Sequence, residues 1–260
     1  MARRDELIAV VEQSPAAVGR HDKAAWLALF ADNAQVNDPV GSKPNVGREV
    51  IGRFYDTFIA PNTIVFHVEH DIVCGDSVMR DLSLETRMSG KVSLHVPMHL
   101  RYDLDENRKI VGLYAYWELP GMVGQLLKRG PLALPVSAKL TAKLVKNQRL
   151  DGSIGFAKGF NRVGVAGKEL AAVFLDTITS GTNLGVAEAM LGDRPVVQIG
   201  QHQGTSLTAI SNRVTGFRVG KTLAAGDFVT ASLSNGTQHA VIVLQFKKNE
   251  IVGVSLYIED

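Results

Sequence analysis

The sequence predicts an α+β fold of two tandem units, each with about three helices packed on one face of a curved antiparallel sheet. Three observations predict it. One order of elements (helix, helix, strand, helix, then a meander of strands) occurs twice along the 260 residues. Hydrophobic residues make up 45% and charged ones 21%, enough apolar side chain to build packed cores and too much for a disordered chain. Charge is also partitioned: residues 1–118 hold 13 Lys and Arg against 17 Asp and Glu, a balance of −4, whereas residues 119–163 stand at +7.

In the first unit, an amphipathic helix spans Glu6 to Val18. A second runs from Lys23 to Phe30, with Trp26, Leu27, Leu29 and Phe30 as its apolar face. Gln35 to Asp38 reads as a short strand and Gly47 to Phe58 as a helix. Strand-like runs follow near 63–74, 77–89, 91–104 and 109–118, separated by Cys74-Gly75-Asp76, Ser89-Gly90 and Asp105-Glu106-Asn107. The second unit repeats the order, with helices at 168–179 and 185–191, a strand at 194–200 and a helix at 204–213. Its strands fall near 215–222, 227–234, 237–246 and 250–258, and Ser234-Asn235-Gly236 is a hairpin turn.

Between the units, residues 119–163 gather Pro120, Pro131, Pro135 and six glycines, the composition of a connector. The expected domains are therefore 1–118 and 164–260, joined by a basic linker. Within the linker, Val136, Leu140 and Leu144 form a helical stripe beside Lys139, Lys143 and Lys146. Such a helix either makes a weak contact with an anionic membrane surface or bridges the domains with its lysines in water. No aromatic residue interleaves these charges, which argues against nucleic acid as a partner.

The single Cys74 supports neither an internal disulfide nor a Cys-rich zinc site, and a reducing cytoplasm fits it. No run of about 18 apolar residues occurs, and the first residues, MARRDELIAVVEQ, lack the apolar core of a signal peptide. His95 and His99 stand roughly 13 Å apart along a strand, too far to share a metal. Neither a metal nor a cofactor is indicated.

The segment AVVEQSPAAVGRHDKAAWLALFADNAQVNDPVGSKPNVGREVIGRFY, from Ala9 to Tyr55, resembles the start of the ketosteroid isomerases. These enzymes belong to the nuclear transport factor 2-like, or SnoaL-like, superfamily of cone-shaped α+β domains. The likeness is strongest over the first 58 or so residues. The resemblance implies a steroid-like apolar ketone as ligand, a steroid Δ-isomerase-like activity, and Asp38 as the base that moves a proton along the conjugated system. It also makes residues 164–260 a degenerate second copy, which would serve as an intramolecular pseudo-dimer partner in place of, or alongside, a homodimer. On residue chemistry alone, Asp38-Pro39-Val40-Gly41 is more often an ordinary turn in which the aspartate accepts backbone hydrogen bonds, and only the resemblance makes it a base.

Where the family has its oxyanion donors, this sequence departs from it. A gapless count puts Ser14 in place of a helix tyrosine, and Pro15 beside it either kinks the helix or, as its chemistry favours, starts a new one capped by Ser14. The same count puts His99 in place of a strand aspartate. Side-chain alternation instead groups Val96, Met98, Leu100 and Tyr102 on one face and His95, His99, Arg101 and Asp103 on the other, which would turn His99 outward toward a domain interface. A bulge near Pro97 would restore it to the pocket. Tyr55 matches a supporting tyrosine of the family.

The expected catalytic residues are thus Asp38, Tyr55 and His99, and the expected ligand-binding residues Ser14, Phe54, Met98, Leu100, Leu113 and Trp117. Arg101 and Asp103, two apart on a strand, are the only echo of the related limonene-type epoxide hydrolases. In the second unit no carboxylate stands at the place of Asp38, and His202 is the nearest titratable group. A non-catalytic binder of a hydrophobic small molecule is the alternative reading.

Overall fold

The computed structural model describes residues 2–89, 92–128, 163–201 and 203–259. His202 and the linker lysines Lys139, Lys143 and Lys146 lie outside the described residues. Among those described, no helix is long and apolar enough to cross a membrane.

The first half begins with α1 (Ala2–Gly19), which buries Leu7, Val11, Ala17 and Val18. Pro15 sits inside this helix, so Ser14 is not the cap that the sequence suggested. Instead its hydroxyl is buried and accepts hydrogen bonds from Trp26 Nε1 at 3.1 Å and the Tyr102 hydroxyl at 3.3 Å. Helix α2 (Lys23–Ala28) is capped by Asp22, whose carboxylate accepts from the Ala25 amide. It ends before Phe30, which opens β1 (Phe30–Asn37), a longer strand than expected. The short β2 (Asn45–Val46) and α3 (Arg48–Phe54) follow, and α3 continues into a π-helical turn over Tyr55–Ile59. Next come β3 (Thr63–Cys74), β4 (Ser77–Ser89), β5 (Val92–Leu104) and β6 (Ile110–Tyr116), then α4 (Leu119–Lys128), where the linker was expected to begin.

The second half runs α5 (Gly164–Ser180), α6 (Leu184–Ala189), β7 (Leu191–Ile199), β8 (Gln203–Gly204), α7 (Leu207–Val214), β9 (Arg218–Ala225), β10 (Phe228–Ser234), β11 (His239–Lys247) and β12 (Glu250–Ile258). The two sheets have the same strand order, β2-β1-β6-β5-β4-β3 and β8-β7-β12-β11-β10-β9. Each is antiparallel except for one parallel pair, β1 with β6 and β7 with β12. The architecture is α+β in both halves, with helices on one face of each sheet.

The other faces of the two sheets pack against each other. Ile72, Met79 and Tyr116 of the first half share a core with Ala225, Val241, Val243 and Tyr257 of the second. Strand alternation makes this possible, because Met79, Asp81, His99, Arg101, Tyr114 and Tyr116 lie in register on the face away from the helices. Polar groups cross the seam as well. Lys221 pairs with Asp81 and donates to the Leu82 carbonyl at 2.8 Å, and Arg101 donates to the Tyr257 hydroxyl at 2.9 Å.

Contacts at the ends are reciprocal. Gly41, in the loop after β1, meets Gly226 in the β9–β10 turn, and a Cβ on Gly41 would come within 2.3 Å of the Gly226 Cα. Gly200, in the loop after β7, meets Cys74 at the end of β3, where a Cβ would come within 3.0 Å of its sulfur. Both Gly41 and Gly200 have positive φ, which glycine adopts freely.

Candidate functional site

Asp38 follows the last residue of β1 and is held in place by the turn after it. The Val40 amide donates to the Ala115 carbonyl at 2.9 Å, and both the Ser42 amide and its hydroxyl donate to the Pro39 carbonyl. Ser42 thus closes the turn. The Asp38 carboxylate accepts from the indole N–H of Trp117, with Nε1 2.6 Å from Oδ1. Trp117 follows β6, which pairs in parallel with β1, so the two neighbouring strand ends deliver acid and indole to one point.

The carboxyl faces an apolar cavity of about 110 Å³. Phe54, Phe58 and Ile59 form one wall, from α3 and the π-helical turn after it. Inward positions of the strands supply Leu84, Met88, Val96 and Met98, and α4 contributes Met122. Asn62 and Thr86 are the remaining polar residues of the lining, and the Asn62 amide already donates to the Phe58 carbonyl at 2.7 Å. Removal from water disfavours the carboxylate and pushes the Asp38 pKa up to about 6, while the Trp117 hydrogen bond acts in the opposite direction. A carboxyl with that value is substantially ionised at neutral pH yet basic enough to hold a proton, as a general base requires.

Of the residues singled out in the sequence, Asp38, Phe54, Met98 and Trp117 meet at this cavity. The others do not. Leu100 and Leu113 are buried in the helix-side core without lining it. Ser14 is buried and committed to Trp26 and Tyr102, and it does not line the cavity. Tyr55 is buried with its ring 5.3 Å from Trp26, and its hydroxyl has no hydrogen-bond partner among the described residues. Burial, with Asp22 and Asp56 acting in the same direction, raises its pKa. It is absent from the cavity wall.

His99 lies on the opposite face of β5, where its Nδ1 is hydrogen-bonded to Thr230 Oγ1 of the second half at 2.7 Å. No bulge rescues it, because β5 keeps its register with β4 from Leu94 through Asp103. Arg101 and Asp103 form a 3.1 Å ion pair on that same outer face, away from the cavity. The rest of the lining was missed, Asn62, Thr86 and Met122 among it. Met122 belongs to a segment whose Pro and Gly content reads as linker, Thr86 shares the parity of Leu84 and Met88 on β4 and was legible from alternation, and no periodic signal marks Asn62.

Among the solved structures similar to this chain is a Δ5-3-ketosteroid isomerase from Mycobacterium sp., 28% identical, with a TM-score of 0.43 over 45% of this chain and 95% of that one. A Mycobacterium tuberculosis protein in complex with estradiol-17β-hemisuccinate is 27% identical over 44% of this chain and 95% of its own, with a TM-score of 0.42. An LEH-like epoxide hydrolase of M. tuberculosis is 19% identical over 51% of this chain and 97% of its own, with a TM-score of 0.43. The pattern that defines the SnoaL-like domain matches residues 11–113 of the chain.

Proposed function

We propose that the first half is a ketosteroid isomerase-like protein that takes an apolar, steroid-like ketone into the cavity and moves one of its protons with Asp38 as base. The observation that carries this reading is the Asp38 carboxyl, held by Trp117 at an apolar wall with its pKa near 6. The carboxylate takes the proton from the carbon beside the ketone. The C–H bond pair moves into the conjugated system, and negative charge develops on the ketone oxygen. The protonated carboxyl then returns its proton farther along that system.

Such an enolate needs hydrogen-bond donors, and among the described residues the lining offers only the Asn62 amide and the Thr86 hydroxyl as side chains free of Asp38. Absence of one well-placed donor in a dry site costs about 100-fold or more in rate, so turnover is slow. A second reading, a binder without turnover, is favoured by the Ser14, Trp26 and Tyr102 cluster, which occupies the interior where Ser14 was expected to meet ligand.

The remaining parts fit this reading as proposals. Residues 164–260 act as a degenerate second copy that covers the sheet of the first as a pseudo-dimer partner, supported by the reciprocal glycine contacts. The linker lysines make at most a weak membrane-surface contact, and the protein works in the cytoplasm.

The deciding assay follows conjugated-enone absorbance with a β,γ-unsaturated ketosteroid. A slow rise that is lost in Asp38→Asn supports the enzyme. Saturable binding of the same steroid with no rise supports the carrier, and neither binding nor rise rejects both.

A further inference from the structure

Strand β5 has one edge only partly covered. Its pairing with β6 runs from His99 to Leu104, so residues 92–98 have no strand neighbour on that side among the described residues. Helix α4 fills the gap. The His95 amide donates to Gln125 Oε1 at 3.0 Å, and Gln125 Nε2 donates back to the His95 carbonyl at 2.7 Å. One side chain thereby satisfies both backbone groups that a neighbouring strand would have taken. On the same helix, Met122 lines the cavity, and Met122 and Leu126 pack against Val92 and Leu94. At the helix start, Glu118 is tied to the second half through Lys168 at 2.9 Å and the Ala224 amide at 3.2 Å. Beyond that anchor the helix contains Gly121 and Gly124, and Gln125 is the polar clasp that holds it to the sheet.

Cavity size gives this clasp a consequence. At about 110 Å³ the space is smaller than the roughly 150 Å³ engineered cavity that admits a benzene molecule. A fused-ring ketone therefore does not fit within it while α4 is seated, whereas a single ring can reach in from the open mouth without filling it. Most of the remaining wall belongs to strands fixed by their ladders and to the α3 segment packed in the core, leaving α4 as the displaceable side. Resting on the proposed function, we infer that Gln125 is a positioning residue that latches α4 onto the β5 edge and thereby sets ligand size: ligands of one ring enter with α4 seated, and fused-ring ketones enter only when the Gln125 to His95 bonds open.

The test compares the full chain with its Gln125→Ala variant, using amide hydrogen exchange at His95 and stopped-flow quenching of tryptophan fluorescence by acetophenone and by androstenedione. Loss of the clasp raises His95 exchange about tenfold and speeds androstenedione association by a similar factor, the scale of one hydrogen bond, while acetophenone association is unchanged. Gln125→Glu, which keeps the acceptor and loses the donor, falls between the two. Equal effects on both ketones, or no change in His95 exchange, overturn the latch and leave the proposed function standing. Failure of the unaltered protein to bind either ketone overturns the proposed function, and the size selection with it.

Discussion

His99 on β5 and Thr230 on β10 are hydrogen-bonded at 2.7 Å across the seam between the two sheets. Burial holds the imidazole neutral and drives its pKa down to about 3, with Lys221 opposing protonation further, although His99 Nε2 faces Asp81 Oδ1 at 3.5 Å. The folded protein therefore binds fewer protons here than the unfolded chain between pH 6.5 and 3. The stability from this group is present above pH 6.5 and is lost as pH falls toward 3. At pH 5 the loss is about 2 kcal/mol. Urea unfolding of His99→Leu should show a smaller drop in stability between pH 7 and pH 5 than the unaltered protein shows.

Because His99 faces the seam and not the cavity, that same substitution should leave the affinity for a steroid ketone within about twofold at pH 7.5, where a loss of contact worth 1.4 kcal/mol would read as tenfold. Equilibrium fluorescence titration checks it. A large loss of affinity in a variant that still folds would return His99 to the ligand site.

Lys221 reaches from β9 into the first half and is the cation paired with the buried Asp81. Lys221→Met should cost about 3 kcal/mol by leaving a carboxylate uncompensated at the seam. Asp81→Asn added to it should recover much of that loss. A double-mutant cycle in urea measures both, and additive losses would contradict the pairing.

Gly41 has φ +96° and its backbone touches Gly226, so Gly41→Ala forces two chain segments apart as well as straining one of them. A loss above about 2 kcal/mol is expected, and Gly226→Ala should behave in the same way. Thermal unfolding of the two variants checks the reciprocity.

Much of this molecule was legible from alternation. The parity of β5 separated Met98 from His99, and the structure puts the first in the cavity and the second in the seam. Asp38, Phe54 and Trp117 were legible through the resemblance together with strand parity. The indole's role as donor to Asp38 was not, since it depends on β1 and β6 lying side by side in parallel. Ser14 and Pro15 read as a helix start because local chemistry favours that, but burial against Trp26 and Tyr102 carries the helix through. Helix α4 was hidden by Pro120, Gly121 and Gly124. Leu119, Met122, Val123, Leu126 and Leu127 do fall at helical spacing, but the Pro and Gly beside them read as linker, and the packing of Met122, Gln125 and Leu126 against β5 is what carries the helix through.

Asp38→Asn should stabilise the fold. The Asp38 pKa in the folded state lies above its model-peptide value, so its contribution is fully present below about pH 3.8 and is lost as pH rises through 6. At pH 8 the variant should gain on the order of 2 kcal/mol, and below pH 4 the gain should vanish. Urea midpoints at the two pH values measure it.

The account stands or falls on the environment of the Asp38 carboxyl, and a carbon-13 NMR titration of that carboxyl reads it directly. A midpoint near 6, moving upward in Trp117→Phe as the indole donor is lost, is the predicted result. A midpoint at or below about 4, the range of an aspartate in open water, would contradict it.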